Sequence, residues 1–393
     1  MQPTNILLSA TGTTIFTVMS ALAVQHQAIN LGQGFPDTEG PEDIVRAAAD
    51  ALLDHRNQYP PLVGVPELRQ AVASTNQRFY GLPIDPEKGV VVTSGATEAL
   101  AASLMALLNP GDEVVLIEPL YDTYLPMVKM LGAVPKLVRL HPPHWDLPRA
   151  ELAAAFGPRT KLILLNTPMN PTGKVFTAEE LGFIAGLMQQ HDTYAVCDEV
   201  YEHLVFSEAK HLSLATLPGM AQRCVRVGSA GKTFSLTGWK VGYISGPPAL
   251  LGEIAKAHQL LTFTTPPNLQ RAVAYGLGKD DAYFESLAHE LEVRCKLLGN
   301  GLTRLGFGVL PVQGSYFITA DISPLRFEGD DMAFCQAMTA QARVAAIPVS
   351  AFYAGDAPRT YVRFAFCKQI SVLQEALARL EGWIASRALT PQA

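Results

Sequence analysis

The residues best placed to do chemistry centre on Lys232, in the small-residue run Gly228-Ser229-Ala230-Gly231-Lys232-Thr233-Phe234 that follows a short β-branched stretch. A lysine attacks a carbonyl or takes up a proton only as the neutral amine, and a half-buried site near another cation lowers its pKa enough to supply that form. A loop lysine alone is far more often a solvated surface group, so the argument rests on what accompanies it. Asp198 closes another apolar run, the position at which open α/β sheets gather their ligand sites, although a helix N-cap would look the same. Asn170 stands in Asn170-Pro171-Thr172-Gly173, a turn sequence when read alone. Gly95, Ala96 and Thr97 open an Ala/Leu-rich helix, where unpaired N–H groups and the helix dipole suit an anion. Thr93-Ser94-Gly95-Ala96-Thr97 is not the G-x-G-x-x-G of a dinucleotide site, which disfavours a dehydrogenase.

The elements that must position these groups follow from periodicity. From Pro41, Ile44, Val45, Ala48, Ala49, Leu52 and Leu53 recur at helical spacing, and a second helix is expected after Pro66. Val90-Val91-Val92 reads as a buried strand running into the helix 99–108, and 113–117, 162–165, 194–197, 224–227 and 241–245 repeat the pattern. This alternation predicts a mostly parallel sheet covered on both faces. Residues 250–305 read as largely helical with breaks at Pro266-Pro267 and at Gly276 and Gly278. Strand candidates then thin out to 316–320, 346–349 and 361–366 before an amphipathic helix in which Ser371 and Gln374 have capping-box spacing.

With 393 residues, 48% of them hydrophobic, the chain exceeds the ~250–300 residues at which single cores stop growing, so two domains are expected. A net charge of -6 gives no general attraction for nucleic acid or anionic lipid. The five cysteines are scattered and lack a C-x-x-C pair, which argues against disulfides or zinc and for a reducing cytoplasm. The first residues read as mature protein, with no basic start before the apolar stretch, and no run is long and apolar enough to span a bilayer.

Three longer motifs carry a resemblance. Gly32-Gln33-Gly34-Phe35-Pro36-Asp37, Asn166-Thr167-Pro168-Met169-Asn170-Pro171-Thr172-Gly173-Lys174-Val175-Phe176 and Gly238-Trp239-Lys240-Val241-Gly242-Tyr243 are similar to those of class I and II aminotransferases. These are the fold-type I enzymes dependent on pyridoxal 5′-phosphate (PLP), and the kynurenine/glutamine and bacterial methionine branch is the nearest in motif. The resemblance runs over nearly the whole chain. It implies an α/β fold with a large domain over 41–285 built on a mostly parallel seven-stranded sheet between helices. A smaller α+β domain over 286–393 would follow, with residues 1–40 packing against it.

The resemblance also implies roles. Lys232 would bind PLP as a Schiff base and, once freed, act as general base. Asp198 would pair with the pyridinium nitrogen, and Tyr201 and Asn170 with the phenolic oxygen. Gly95, Ala96, Thr97, Ser229 and Lys240 would hold the phosphate, lysine standing at the last position where many relatives have arginine. Tyr59 would reach the same phosphate from a neighbouring subunit, making the enzyme a homodimer with shared sites. Tyr121 would stack on the ring and Arg363 would clamp the substrate carboxylate with a contact from Gly34. Each of these four residues has an ordinary reading by itself: packing, a turn, or a solvent-facing strand residue.

Phe16, Tyr121 and, from the neighbour, Phe263 would line the side-chain pocket, which suggests a neutral or aromatic donor such as methionine, glutamine or phenylalanine passing its amino group to a 2-oxo acid. Thr264 stands where some kynurenine-type relatives have histidine, which argues against kynurenine itself. A succinylated diaminopimelate donor and a carbon–sulfur β-lyase activity on cysteine conjugates are the alternatives within the class, and no metal is required. A non-catalytic PLP-binding regulator is disfavoured by the acidic balance and the short stretch before Phe16.

Overall fold

The structure is a computed structural model that describes residues 2, 4–10, 12–206 and 208–388. Its centre is a seven-stranded sheet in the order Val90–Ser94, Val241–Ser245, Cys224–Ser229, Tyr194–Asp198, Thr160–Asn166, Glu113–Glu118, Val134–Arg139. All pairings are parallel except those of Val241–Ser245, which is antiparallel to both neighbours. Helices cover both faces, so the strands are apolar on both sides. Val91 packs with Leu100, Leu104 and Ile254 on one face, while Val90 and Val92 pack with Ile44, Leu68 and Ala272 on the other. The helix Gly95–Leu107 lies against Pro248–Leu261, and Pro267–Leu277 lies against Glu42–Asp54 and Pro66–Tyr80.

The edge strand Val134–Arg139 has no counterpart among the expected strands. Its residues are mostly half-buried or exposed and include Pro135 and Lys136, which an edge tolerates and which hide the apolar signal. The helix after Val90–Ser94 begins at Gly95, four residues ahead of the apolar run that announces it.

A second, antiparallel sheet has the order Ile347–Pro348, Tyr361–Ala365, Phe317–Asp321, Gly308–Val309. Near the N terminus, Ile29–Asn30 pairs in parallel with Val344–Ala345, and the helix Ile15–Gln25 packs on Asp331–Gln341. The expected boundary at 285/286 falls inside the continuous helix Asp281–Arg304. The expected capping box at Ser371 is corrected: the last helix is Ile370–Ala388, so Ser371 is already helical. The Asp37 carboxylate instead accepts the Gln369 N–H, at 2.9 and 3.1 Å from its two oxygens. A carboxylate brought from far along the chain thus meets the positive end of this helix.

Behind the strand that ends in Asp198 lies a buried ionic cluster. Arg226 donates to Glu199 at 2.6 Å and to Glu202 at 2.7 Å, and stacks 4.1 Å from the Tyr80 ring centre. Burial pushes the Glu199 carboxyl up, but the Arg226 charge and hydrogen bonds from His211 and Ser213 outweigh it and bring it down to about 2. The stability it contributes is therefore present above its ordinary value of 4.5 and is lost as pH falls toward 2. Replacing Arg226 with methionine leaves two carboxylates buried without a cation. The expected cost at neutral pH is about 3–5 kcal/mol, read as a lowered urea midpoint, and it shrinks as acid protonates the two glutamates.

Candidate functional site

The C-terminal ends of the parallel strands open into a cavity of about 350 Å³. Asn166, Asp198 and Ser229 each end a strand and line it, and the chain turns directly from Ser229 into the short helix Ala230–Thr233 that carries Lys232. Phe16, Gly34, Gly95, Ala96, Thr97, Tyr121, Asn170, Tyr201, Lys240 and Arg363 complete the set of expected residues that the structure brings together there. Tyr59 and Phe263 do not line this cavity. They are 82% and 42% exposed, and their rings meet edge to face with centroids 5.3 Å apart.

The Lys232 amine donates to the Tyr316 hydroxyl at 2.9 Å and lies 3.4 Å from the Gly34 carbonyl, to which Tyr316 donates its own hydrogen. Burial takes the Lys232 amine down to about 8, against the opposing pull of Cys367 and Asp198. A neutral amine is thus available close to neutral pH. Asp198 accepts the Tyr124 hydroxyl at 2.5 Å, and burial pushes its carboxyl up to about 6 despite that bond. Its charge is most stable when a cation sits beside it. Burial also holds the Tyr201 phenol above its usual range.

Asn166 sets the spacing of this wall. Its amide N–H donates to the Asp198 carbonyl at 2.9 Å, and its oxygen accepts the Asn170 N–H at 2.8 Å. Arg363, 1% exposed, donates to the Asn170 side chain at 2.8 Å and to the Gly32 carbonyl at 2.5 Å. The guanidinium lies 3.9 Å from the Phe317 ring centre, and its Nε is buried without a partner. Burial lowers it to about 10, so it remains a cation at neutral pH. A buried guanidinium with an unspent donor is built to receive an acceptor such as a carboxylate.

At the opposite end, the Ser94 side chain makes no capping hydrogen bond to the helix that starts at Gly95. A Cβ added to Gly242 would come within 2.5 Å of the Gly95 carbonyl carbon, so two backbones meet here with no room for a side chain. Gly95 itself has φ +73°, and a Cβ there would come within 3.3 Å of the Lys240 ammonium. Uncapped N–H groups beside a lysine form a cup for an anion. Together the arrangement can hold an anionic aldehyde, with its anion in the cup, its carbonyl at Lys232 and a basic ring nitrogen at Asp198, and a second, carboxylate-bearing molecule at Arg363. Among the described residues no group of three or more His, Cys, Asp or Glu side chains is arranged for a metal ion.

Tyr316, Tyr124 and Asn166 each hydrogen-bond an expected site residue, and sequence reasoning did not single them out. Tyr124 lies 74 positions from Asp198, and Tyr316 lies 84 from Lys232, so no local spacing marks either. Asn166 lay within a quoted motif but had no role assigned.

Residues 26–380 match the family model described as aminotransferase class I and II. The probable N-succinyldiaminopimelate aminotransferase of Mycobacterium tuberculosis is 45% identical over 94% of this chain and 95% of its own length. The solved structure of an N-succinyldiaminopimelate aminotransferase from that organism superposes with a TM-score of 0.94 at 44% identity, covering 97% of this chain and 100% of that one. The methionine aminotransferase of Escherichia coli is 41% identical over 94% of this chain and 95% of its own length. A kynurenine–oxoglutarate transaminase of Dictyostelium discoideum is 38% identical over 94% and 93% respectively.

The lowered amine makes a direct prediction. In the cofactor-free protein, reductive methylation followed by mass spectrometry should find Lys232 half-reactive near pH 8, against 10.5 for an ordinary lysine. Tyr316→Phe removes an acceptor for the ammonium and should move that midpoint lower still.

Proposed function

The chain belongs to the aminotransferase class I and II family, with the fold-type I architecture, and from that premise we propose that it is a PLP enzyme moving the amino group of a neutral or aromatic L-amino acid to a 2-oxo acid. When bound, PLP supplies a carbonyl that condenses with amines and a ring that accepts the electron pair left by a departing α-proton. The residues fit that group. The uncapped N–H groups at Gly95, Ala96 and Thr97, with Ser229 and Lys240, suit its phosphate, and the buried Asp198 suits a protonated ring nitrogen. Tyr201 and Asn170 would face its phenolic oxygen and Tyr121 its ring face.

In this reading the Lys232 amine would hold the cofactor's carbonyl and, when free, would carry the α-proton of the substrate, as a ping-pong transfer of the amino group requires. Arg363 orients the substrate carboxylate through its free Nε with help from the Gly34 backbone, which keeps the α-hydrogen within reach of the lysine. Tyr316 and the Gly34 carbonyl hold the amine when it is free.

The observation that carries the choice of donor is the inventory of cations. Among the described residues that line the cavity, these are Lys232, Lys240 and Arg363, and each already has a task. The wall facing Arg363 is aromatic: Phe16 packs against Tyr121 at 6.4 Å and Phe352 at 5.9 Å between ring centres. This supports a side chain without a second charge. The 45% identity to the probable N-succinyldiaminopimelate aminotransferase favours a second reading, a succinylated dicarboxylic donor, whose distal carboxylate would need a cation from another chain.

We further read the enzyme as a homodimer. The exposed Leu52, Leu53, Leu260 and Leu261 lie in the segments next to Tyr59 and Phe263, the two residues assigned to a neighbour's site. Five free cysteines, and no helix among the described residues long and apolar enough to cross a membrane, support a cytoplasmic enzyme.

The test is the near-ultraviolet and visible spectrum of the PLP-loaded protein with separate additions of methionine, glutamine, phenylalanine, N-succinyldiaminopimelate and aspartate. Conversion to the pyridoxamine form by one of the first three, and not by aspartate, is the expected outcome. A preference for the succinylated donor selects the second reading, and absence of any PLP band overturns both. Lys232→Arg should abolish turnover while the protein stays folded.

A further inference from the structure

We propose that Glu98 and His258 form a buried, charge-balanced pair that sets how strongly the helix starting at Gly95 holds the cofactor's phosphate. The proposal rests on the reading that the phosphate binds there. Glu98 lies in the first turn of that helix and His258 in the facing helix Pro248–Leu261, fully buried. The His258 Nδ1 is 2.8 Å from one Glu98 oxygen and 3.2 Å from the Thr262 hydroxyl, and its Nε2 is 3.0 Å from the Leu62 carbonyl. In the proposed pair an ionised Glu98 and the Leu62 carbonyl both accept, so each ring nitrogen donates and the ring carries the positive charge that balances the carboxylate. The other Glu98 oxygen accepts the Ser94 N–H at 2.6 Å, immediately before the cup.

This arrangement solves an electrostatic conflict. Glu98 occupies the Ser94 N–H and leaves those of Gly95, Ala96 and Thr97 uncapped for an anion. A bare carboxylate in the first helical turn would oppose a phosphate at the same helix end, where the dipole otherwise favours negative charge. The imidazolium cancels that opposition without entering the cavity. Neither Glu98 nor His258 lines the cavity, so both are positioning residues. His258 also ties the cup to the residues assigned to the neighbouring subunit. Its Leu62 contact lies three residues beyond Tyr59, and its own carbonyl accepts the Thr262 and Phe263 N–H groups at 3.0 and 3.1 Å.

The experiment titrates the cofactor-free full-length protein with PLP and with pyridoxal, which keeps the aldehyde and lacks the phosphate, reading the absorbance band formed at Lys232 and checking the fold by circular dichroism. His258→Gln leaves Glu98 uncompensated and should weaken PLP about tenfold while pyridoxal stays within about twofold. The double variant Glu98→Gln/His258→Gln removes the stranded charge and should restore PLP binding to near wild type. Glu98→Gln alone, whose amide mates with a neutral imidazole, should hold or tighten it and keeps the test open if His258→Gln does not fold. The proposal is overturned if His258→Gln weakens both aldehydes alike or neither, if the double variant stays weak, or if Glu98→Gln loses affinity for PLP alone. Equal wild-type affinity for PLP and pyridoxal would instead remove the phosphate reading, and the pair's role with it.

Discussion

Burial of the Lys232 amine is the constraint to which the rest of the structure answers. An ammonium partly withdrawn from water is costly, and the chain meets that cost by letting the amine approach neutrality while giving it two oxygen partners, Tyr316 and Gly34. The partners come from opposite ends of the sequence. Gly34 follows the segment that pairs with Val344–Ala345, and Tyr316 precedes the strand Phe317–Asp321. The lysine itself sits on the short helix Ala230–Thr233 that follows the large-sheet strand Cys224–Ser229, so the amine meets its two partners only where the large sheet faces these other segments.

The same logic of charges kept apart and balanced runs through the large sheet. Asp198 is isolated and raised, while Glu199, the next residue, is paired and lowered. Alternation along the chain sends the two side chains to opposite sides, one into the cavity and the other into the cluster around Arg226. Two adjacent acids thus acquire opposite characters from one strand end. The stable ion pairs behind hold the backbone from which the raised Asp198 carboxylate projects.

Much of this was legible in the sequence. Strands buried on both faces announce themselves as unbroken apolar runs, which is why Val90–Ser94, Thr160–Asn166 and Tyr194–Asp198 were found and the half-exposed edge Val134–Arg139 was not. The antiparallel direction of Val241–Ser245 could not be read, because composition does not record direction and the tight Thr237–Trp239 turn sets it. At the site, Asn170 lies inside one of the three motifs and Lys232, Asp198 and Arg363 were picked out through the resemblance those motifs carry; the structure sets all four along one cavity. Tyr124, Tyr316 and the Glu98–His258 pair were not legible, since each acts on a residue far away in the chain and the surrounding sequence would look the same in any packed helix or strand.

The cavity has two walls of different origin. Asn166, Asp198 and Ser229 stand on the strand ends, gauged by the Asn166 amide, with Lys232 on the short helix that follows Ser229, whereas Phe16 belongs to the helix Ile15–Gln25, which packs on Asp331–Gln341. A substitution at Phe16 reshapes that side of the cavity without disturbing any hydrogen bond of the Asn166 gauge. Under the proposed function, substrate preference can therefore drift through small, separately tolerated steps on one wall while the residues proposed to carry the proton stay in place. Such a division lets one scaffold diversify into relatives with different donors and the same catalytic core.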